Sequence, residues 1–124
     1  MNVLIIEDEP AIAMVLCEVL RDEGHSAEAF TDGTAALRRL LEEPIPDLVL
    51  VDLFMPRFGG RELLTAMRSD ARLAAVPVIL LTGAVPHSEA FPPEGSYQAL
   101  ITKPFDVDEL VAVVNSVSAR RFSA

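Results

Sequence analysis

Five polar residues close short apolar runs in this chain of 124 residues. Glu7 and Asp8 follow the run at 3–6, Asp52 follows 48–51, Thr82 follows 76–81, and Lys103 lies just past 99–101. Three carboxylates, a hydroxyl and an ammonium have chemistry in them if those runs lie side by side. Two carboxylates about 4 Å apart at an effective dielectric near 20 repel by roughly 4 kcal/mol. Three could not all stay ionised in one crevice without a cation. Lys103, the sole lysine, supplies one positive charge, and a divalent metal would supply two. The set offers only oxygen ligands, because His25, His87 and Cys17 lie elsewhere along the chain. Oxygen ligation with few carboxylates suits Mg²⁺, with Mn²⁺ an acceptable substitute, far better than Zn²⁺. A metal, a carboxylate, a hydroxyl and an ammonium together can hold a phosphoryl group. Taken singly, Asp52 could cap a turn, Thr82 could be an ordinary strand residue, and Lys103 could reach to solvent.

Convergence depends on the elements that carry these residues. Residues 3–6 read as a buried strand, and Pro10 opens a helix to about Glu23 with Gly24 ending it. Residues 26–30 read as a less apolar edge strand. A helix opens at 31–34 and runs through Glu43, where Pro44 and Pro46 stop it. Strands follow at 48–51, 76–81 and 99–101, with a helix from Arg61 to about Ala71 between the first two. Asp106 caps a last helix whose Leu110, Val113, Val114 and Val117 recur at i, i+3, i+4 and i+7. Five strands alternating with helices predict an α/β fold, a doubly wound parallel sheet covered on both faces. The order 2-1-3-4-5 leads on fold class rather than on spacing. Ligands bind such sheets beyond the carboxyl ends of the strands, where strand order reverses. All five polar residues fall at that edge. The crossover between the fourth and fifth strands holds Pro86, Pro92, Pro93 and Gly95. Its helix is therefore expected to be truncated and irregular, around residues 86–90.

Charge and composition bound the partners. Ten basic residues against nineteen acidic give a net charge of −9, which repels nucleic-acid phosphates and anionic membrane surfaces. The hydrophobic share of 51% argues against disorder. The first apolar run lacks the basic flank of a signal peptide, and no run approaches the length of a membrane span. The single cysteine fits a reducing compartment. The expectation is one cytoplasmic domain over residues 1–124, with no nucleic-acid or membrane partner and no output domain.

With these residues in view, the chain resembles the response-regulator receiver domain of two-component signalling, from Asn2 to about Val117. Four segments carry the resemblance: Val3-Leu4-Ile5-Ile6-Glu7-Asp8-Glu9-Pro10; Asp47-Leu48-Val49-Leu50-Val51-Asp52-Leu53-Phe54-Met55-Pro56 with Gly60; Leu80-Leu81-Thr82-Gly83; and Thr102-Lys103-Pro104-Phe105. The resemblance implies a flavodoxin-like receiver fold and assigns roles. Asp52 would be the phosphoacceptor, Asp8 a direct Mg²⁺ ligand, and Glu7 a ligand through water. The Phe54 carbonyl would complete the protein's share of the metal shell. Thr82 would donate its hydroxyl to one phosphoryl oxygen, and Lys103 would neutralise another. The Lys103–Pro104 peptide would be cis. The implied partners are a histidine kinase or histidine phosphotransfer protein and a downstream protein target. The chain would be a monomer or weak homodimer, and not an enzyme beyond assisting its own phosphorylation and dephosphorylation.

Two positions depart from the family pattern. Leu100 stands where Tyr or Phe is usual three residues before the lysine, so the resemblance does not carry the customary aromatic switch over to this chain. Phe54 stands where a small or polar residue is commoner, and could obstruct water beside an acyl phosphate. On the first helix, Ile12, Leu16 and Val19 suit a core face, while Ala11, Met14 and Val15 suit an exposed apolar patch where the resemblance implies partner docking. Val107 and Val111 broaden the last helix in the same way and could support a dimer. Arg120 and Arg121 read as complements of its dipole. Two other functions were weighed: a receiver-fold interaction module working without phosphorylation, and a haloacid-dehalogenase-type phosphatase. The latter needs a second aspartate where Phe54 stands. A flavin-binding protein fits less well, since Glu7-Asp8-Glu9 would repel a flavin phosphate.

Overall fold

The computed structural model describes residues 1–55, 58–83, 92–93 and 95–122, with 120–122 by backbone alone. Its elements run β1 (Asn2–Ile6), α1 (Pro10–Asp22), β2 (Ser26–Phe30), α2 (Gly33–Leu40), β3 (Leu48–Asp52), α3 (Gly60–Ser69), β4 (Val78–Thr82), β5 (Ala99–Thr102) and α4 (Val107–Phe122). The strands pair in parallel in the order β2-β1-β3-β4-β5, the predicted topology. The truncated helix expected around residues 86–90 lies outside the described residues, as do the side chains of Arg120 and Arg121.

Strand position explains strand composition. All five residues of both β3 and β4 are buried, because helices cover both faces of a central parallel strand. The edge strand β2 buries none fully. The two-residue period sorts the core into two layers. Val3, Ile5, Leu48, Leu50, Ile79, Leu81 and Ile101 meet α1 and α4 through Leu16, Leu20, Leu110 and Val114. Leu4, Ile6, Val49, Val51, Val78 and Leu80 meet α2 and α3 through Ala36, Leu40, Leu63 and Met67. The sheet thus separates two hydrophobic layers that share no side chain. Among the described residues, no helix is long and apolar enough to cross a membrane.

Element ends differ from expectation where proline and arginine intervene. α2 stops at Leu40, three residues short of Glu43. Pro44 and Pro46 carry no N–H for the carbonyls of Leu40 and Glu42. The Arg39 guanidinium instead donates to the carbonyls of Glu42 (3.2 Å) and Pro44 (3.1 Å). β4 begins at Val78 rather than 76 because Pro77 has no ladder donor. Asp106 caps α4 as expected, accepting from the Asp108 N–H at 2.7 Å.

A half-buried arginine ties the amino-terminal end of the sheet. Arg68 Nε donates to the Ser96 carbonyl at 2.9 Å, and Nη1 donates to those of Ala74 (3.0 Å), Val76 (2.8 Å) and Leu73 (3.3 Å). Nη2 reaches Gln98 Oε1 at 3.4 Å, an oxygen that also accepts from the Val78 N–H at 2.7 Å. Burial lowers the Arg68 pKa from its ordinary value. Arg72, by contrast, pairs with Asp70 at 3.3 Å near the surface. Substitution of Arg68 by alanine is therefore expected to cost about 2–3 kcal/mol through lost charge-assisted bonds and stranded carbonyls. Arg72→Ala should cost under about 1 kcal/mol. Urea unfolding of both variants checks the contrast, and equal losses would refute it.

Candidate functional site

Strand order places the polar residues before any side chain is considered. β1 has β2 on one side and β3 on the other, so the sheet reverses direction of growth between β1 and β3. The pairing of Ile6 with Val51 brings Glu7 level with Asp52. Asp52 pairs with Leu81, and Thr82 with Thr102. The ladder runs one step further, with the Leu53 N–H donating to the Leu81 carbonyl and the Lys103 N–H to the Thr82 carbonyl, each at 2.9 Å. Glu7, Asp52, Thr82 and Lys103 therefore stand along one edge at nearly one height. The Lys103–Pro104 peptide is cis, as is Glu43–Pro44, which the sequence reading did not anticipate.

The side chains converge as the strand ends require. One carboxylate oxygen each from Glu7, Asp8 and Asp52 lie within 4.8 Å of one another. Lys103 Nζ contacts Glu7 Oε1 and donates to Asp52 Oδ2 at 3.0 Å. Asp52 Oδ1 accepts from the Phe54 N–H at 3.1 Å, which fixes the carboxylate plane from its other oxygen. Glu7 and Thr82 are fully buried, and Asp52 nearly so. Asp8 is half-buried. Among the described residues, no buried side-chain nitrogen or oxygen lacks a hydrogen-bond partner.

Electrostatics marks the cluster as short of positive charge. Burial pushes the Glu7 carboxyl up to about 7; Lys103 opposes the rise, and Asp52 and Asp8 add to it. Burial alone would lower Lys103, but its contacts with Glu7 and Asp52 prevail and raise it. One ammonium against three carboxylates leaves an excess that a proton on Glu7 partly relieves. A divalent cation would relieve it more fully, and the all-oxygen donor set fits a hard ion such as Mg²⁺.

Glu7, Asp8, Asp52 and Lys103 meet here, and Thr82 ends β4 on the same edge. Phe54, whose carbonyl the resemblance assigned to the metal, follows Asp52 by two residues, and its side chain is 48% exposed. Leu100 is half-buried and packs, with Tyr97, against the α2/α3-side layer. On α1, Leu16 is buried and Ile12 and Val19 pack partly against the other layer, while Met14 is 63% exposed with Val15 and Ala11 also outward. The sequence reading missed Glu62, whose carboxylate accepts from the Gly59 N–H at 3.1 Å and secures the loop after β3. An acid at the third helical position was the available signal.

A five-stranded parallel sheet in this order, with acids and a lysine at its switch point, defines the receiver class of α/β domains. A family model described as response regulator receiver domain matches residues 3–115, and the chain belongs to that family. It is 31% identical over 124 residues to the response regulator Rre1 of Synechocystis sp., covering 97% of this chain and 52% of that protein. It is 34% identical over 116 residues to the DNA-binding response regulator MtrA of Mycolicibacterium smegmatis, covering 93% and 49%. The chain thus spans about half the length of these relatives. A putative response regulator from Chloroflexus aurantiacus superposes with a TM-score of 0.85 at 28% identity, covering 95% of this chain and 97% of that one. The receiver domain of Francisella response regulator 1452 gives 0.80 at 30%, covering 96% and 97%.

The raised Glu7 pKa sets a pH dependence. The folded state keeps this proton up to about pH 7, whereas the unfolded chain releases it near the ordinary carboxyl value of 4.5. Its contribution to stability is full below 4.5 and is lost as pH rises through 7. With a chelator present, stability of the native protein relative to Glu7→Gln should fall across that window. Urea midpoints at several pH values measure it, and parallel curves for the two proteins would refute the assignment.

Proposed function

We propose that residues 1–124 work as one receiver unit that takes a phosphoryl group from a phosphohistidine onto Asp52. The reading is carried by the Asp52 carboxylate, held through Oδ1 by the Phe54 N–H and facing Lys103 through Oδ2. In the transfer, an Asp52 oxygen forms a bond to phosphorus as the phosphorus–nitrogen bond to the imidazole breaks. The imidazole leaves with its electron pair, and an acyl phosphate remains on Asp52. Asp8, Asp52 and the Phe54 carbonyl would hold Mg²⁺ or Mn²⁺, with Glu7 supporting it through water. The bound ion would offset charge on the phosphoryl oxygens. Lys103 shifts its ammonium from the carboxylates to a phosphoryl oxygen, and the Thr82 hydroxyl donates to another. Phosphoryl transfer asks mainly for positioning and charge stabilisation, and this set supplies both.

The chain so read catalyses only its own phosphorylation and dephosphorylation. Its donor is a histidine kinase or phosphotransfer protein, and the apolar Met14 and Val15 on α1 suit that contact. Output runs through altered protein contacts, since a chain of net charge −9 is ill suited to nucleic acid. With Leu100 in place of an aromatic, that output does not depend on rotation of an aromatic ring at this position. The domain acts in the cytoplasm as a monomer or weak dimer.

Incubation with Mg²⁺ and a small-molecule phosphodonor should add one phosphoryl group by intact mass, and Asp52→Asn should abolish it. No adduct, or an equal adduct on the variant, would overturn the reading. Phe54 follows the acceptor by two residues and is 48% exposed. Phe54→Asn should therefore shorten the phosphoryl lifetime several-fold, measured as loss of the adduct mass after donor removal. An unchanged decay would show that Phe54 does not hinder the attacking water.

A further inference from the structure

Gly33 opens α2 and is buried, with a backbone conformation open to any residue; its lack of a side chain has a steric cause. A Cβ there would lie 2.2 Å from the carbonyl oxygen of Phe58 and 2.9 Å from Phe58 Cδ1. The first distance is about 1 Å inside the roughly 3.3 Å at which carbon and oxygen meet. The nearest obstacle is main chain, so no side-chain rotation relieves it. Phe58 in turn leads directly into Gly59 and Gly60, which lie against the end of β3. A Cβ on Gly60 would meet the Asp52 carbonyl oxygen at 2.7 Å and Leu53 Cα at 2.8 Å, and the Gly60 N–H donates to the Leu53 carbonyl at 3.1 Å. A Cβ on Gly59 would sit 3.2 Å from the carbonyl oxygens of both Leu53 and Met55. Three glycines thus stack the start of α2, the loop and the last residues of β3 in backbone contact.

We propose that Gly33 is a positioning residue for the phosphoacceptor: the bare start of α2 is the seat on which Phe58 rests, and through Gly59 and Gly60 it sets where Asp52 and the Phe54 backbone stand. The inference rests on the reading of Asp52 and Phe54 given above. If a side chain were added at Gly33, either α2 or the loop must give. α2 is pinned by Ala36 and Leu40, both fully buried, and by Asp32, which accepts from the Thr34 N–H at 2.9 Å. On the other side of the contact, Phe58 is only half-buried and Phe54 is largely outward. Phe58 yields, and the shift passes through the backbone contacts of Gly59 and Gly60 to Leu53 and Asp52. A misplacement near 1 Å at a reacting group can cost about a hundredfold in rate.

Three proteins test this: the native chain, Gly33→Ala, and Leu40→Ala, which weakens the same helix without touching the loop. In metal-free protein, Gly33→Ala should move the ¹H–¹⁵N resonance of the Phe54 amide. It should also weaken Mg²⁺ binding by about tenfold or more and slow phosphoryl uptake in step. Leu40→Ala should lower the unfolding midpoint and leave the Phe54 amide and the Mg²⁺ affinity unchanged. Native-like Phe54 shift and Mg²⁺ affinity in folded Gly33→Ala would overturn the proposal, as would equal losses in Leu40→Ala. Should Gly33→Ala fail to fold, Phe58→Ala loosens the same seat from the loop side. An unchanged Phe54 amide and Mg²⁺ affinity there would overturn it equally. A native protein that binds no Mg²⁺ and takes no phosphoryl group would instead overturn the functional reading. The metal-free Phe54 resonance would still decide the seat.

Discussion

The end of a parallel sheet that brings three carboxylates within 4.8 Å of one another, with one ammonium among them, is the constraint around which this molecule is arranged. Coulomb repulsion opposes that crowding, and burial makes it worse. The arrangement persists because none of the groups is free to leave. Glu7 follows directly on β1, Asp52 ends the paired β3, and Lys103 continues the ladder from β5, two strands beyond β3. The hydrophobic layers, which stabilise far more than the cluster costs, hold the strand ends in register. Local electrostatic disfavour is thus maintained by global packing, and it is the usual condition of a site that must accept charge.

Much of this was legible in the sequence because it follows from period and position. The apolar runs of β1, β3 and β4 are continuous because both their faces are buried, and a polar residue closing each run marks the carboxyl edge. Each strand end is a local fact, so Glu7, Asp8, Asp52, Thr82 and Lys103 could be picked out singly. Their grouping followed from fold class, since neither strand order nor register is written in spacing.

What stayed hidden was decided between distant elements. Lys103 and Glu7 are 96 residues apart, and their contact depends on the height of the two strand ends, of β3 and β4, that lie between them. Gly33 looks like any helix-opening glycine until Phe58 is seen against it. Arg68 looks like a surface residue of an amphipathic helix. Its burial depends on the segment before β5 folding back to offer the Ser96 carbonyl. Helix ends were missed for a related reason: the stop of α2 depends on where the Arg39 guanidinium finds acceptors, not on the first proline alone.

The two halves of the site belong to different layers of the core. Asp52 ends β3, and Phe58 beyond it packs on the α2/α3 side. Lys103 leads into Phe105, which packs on the α1/α4 side. The sheet separates these layers, and the contact from Lys103 to Glu7 and Asp52 joins them across the carboxyl edge. The ammonium contact therefore lies between the segment that leads to α4 and the strand end that leads towards the start of α2. Close-packed interiors transmit shifts rather than absorb them. Leu100 adds to this, being an aliphatic side chain already packed on the α2/α3 side. In a domain built this way, the charge at one edge is the contact between two otherwise separate core layers, and position 100 belongs to the α2/α3 side of it.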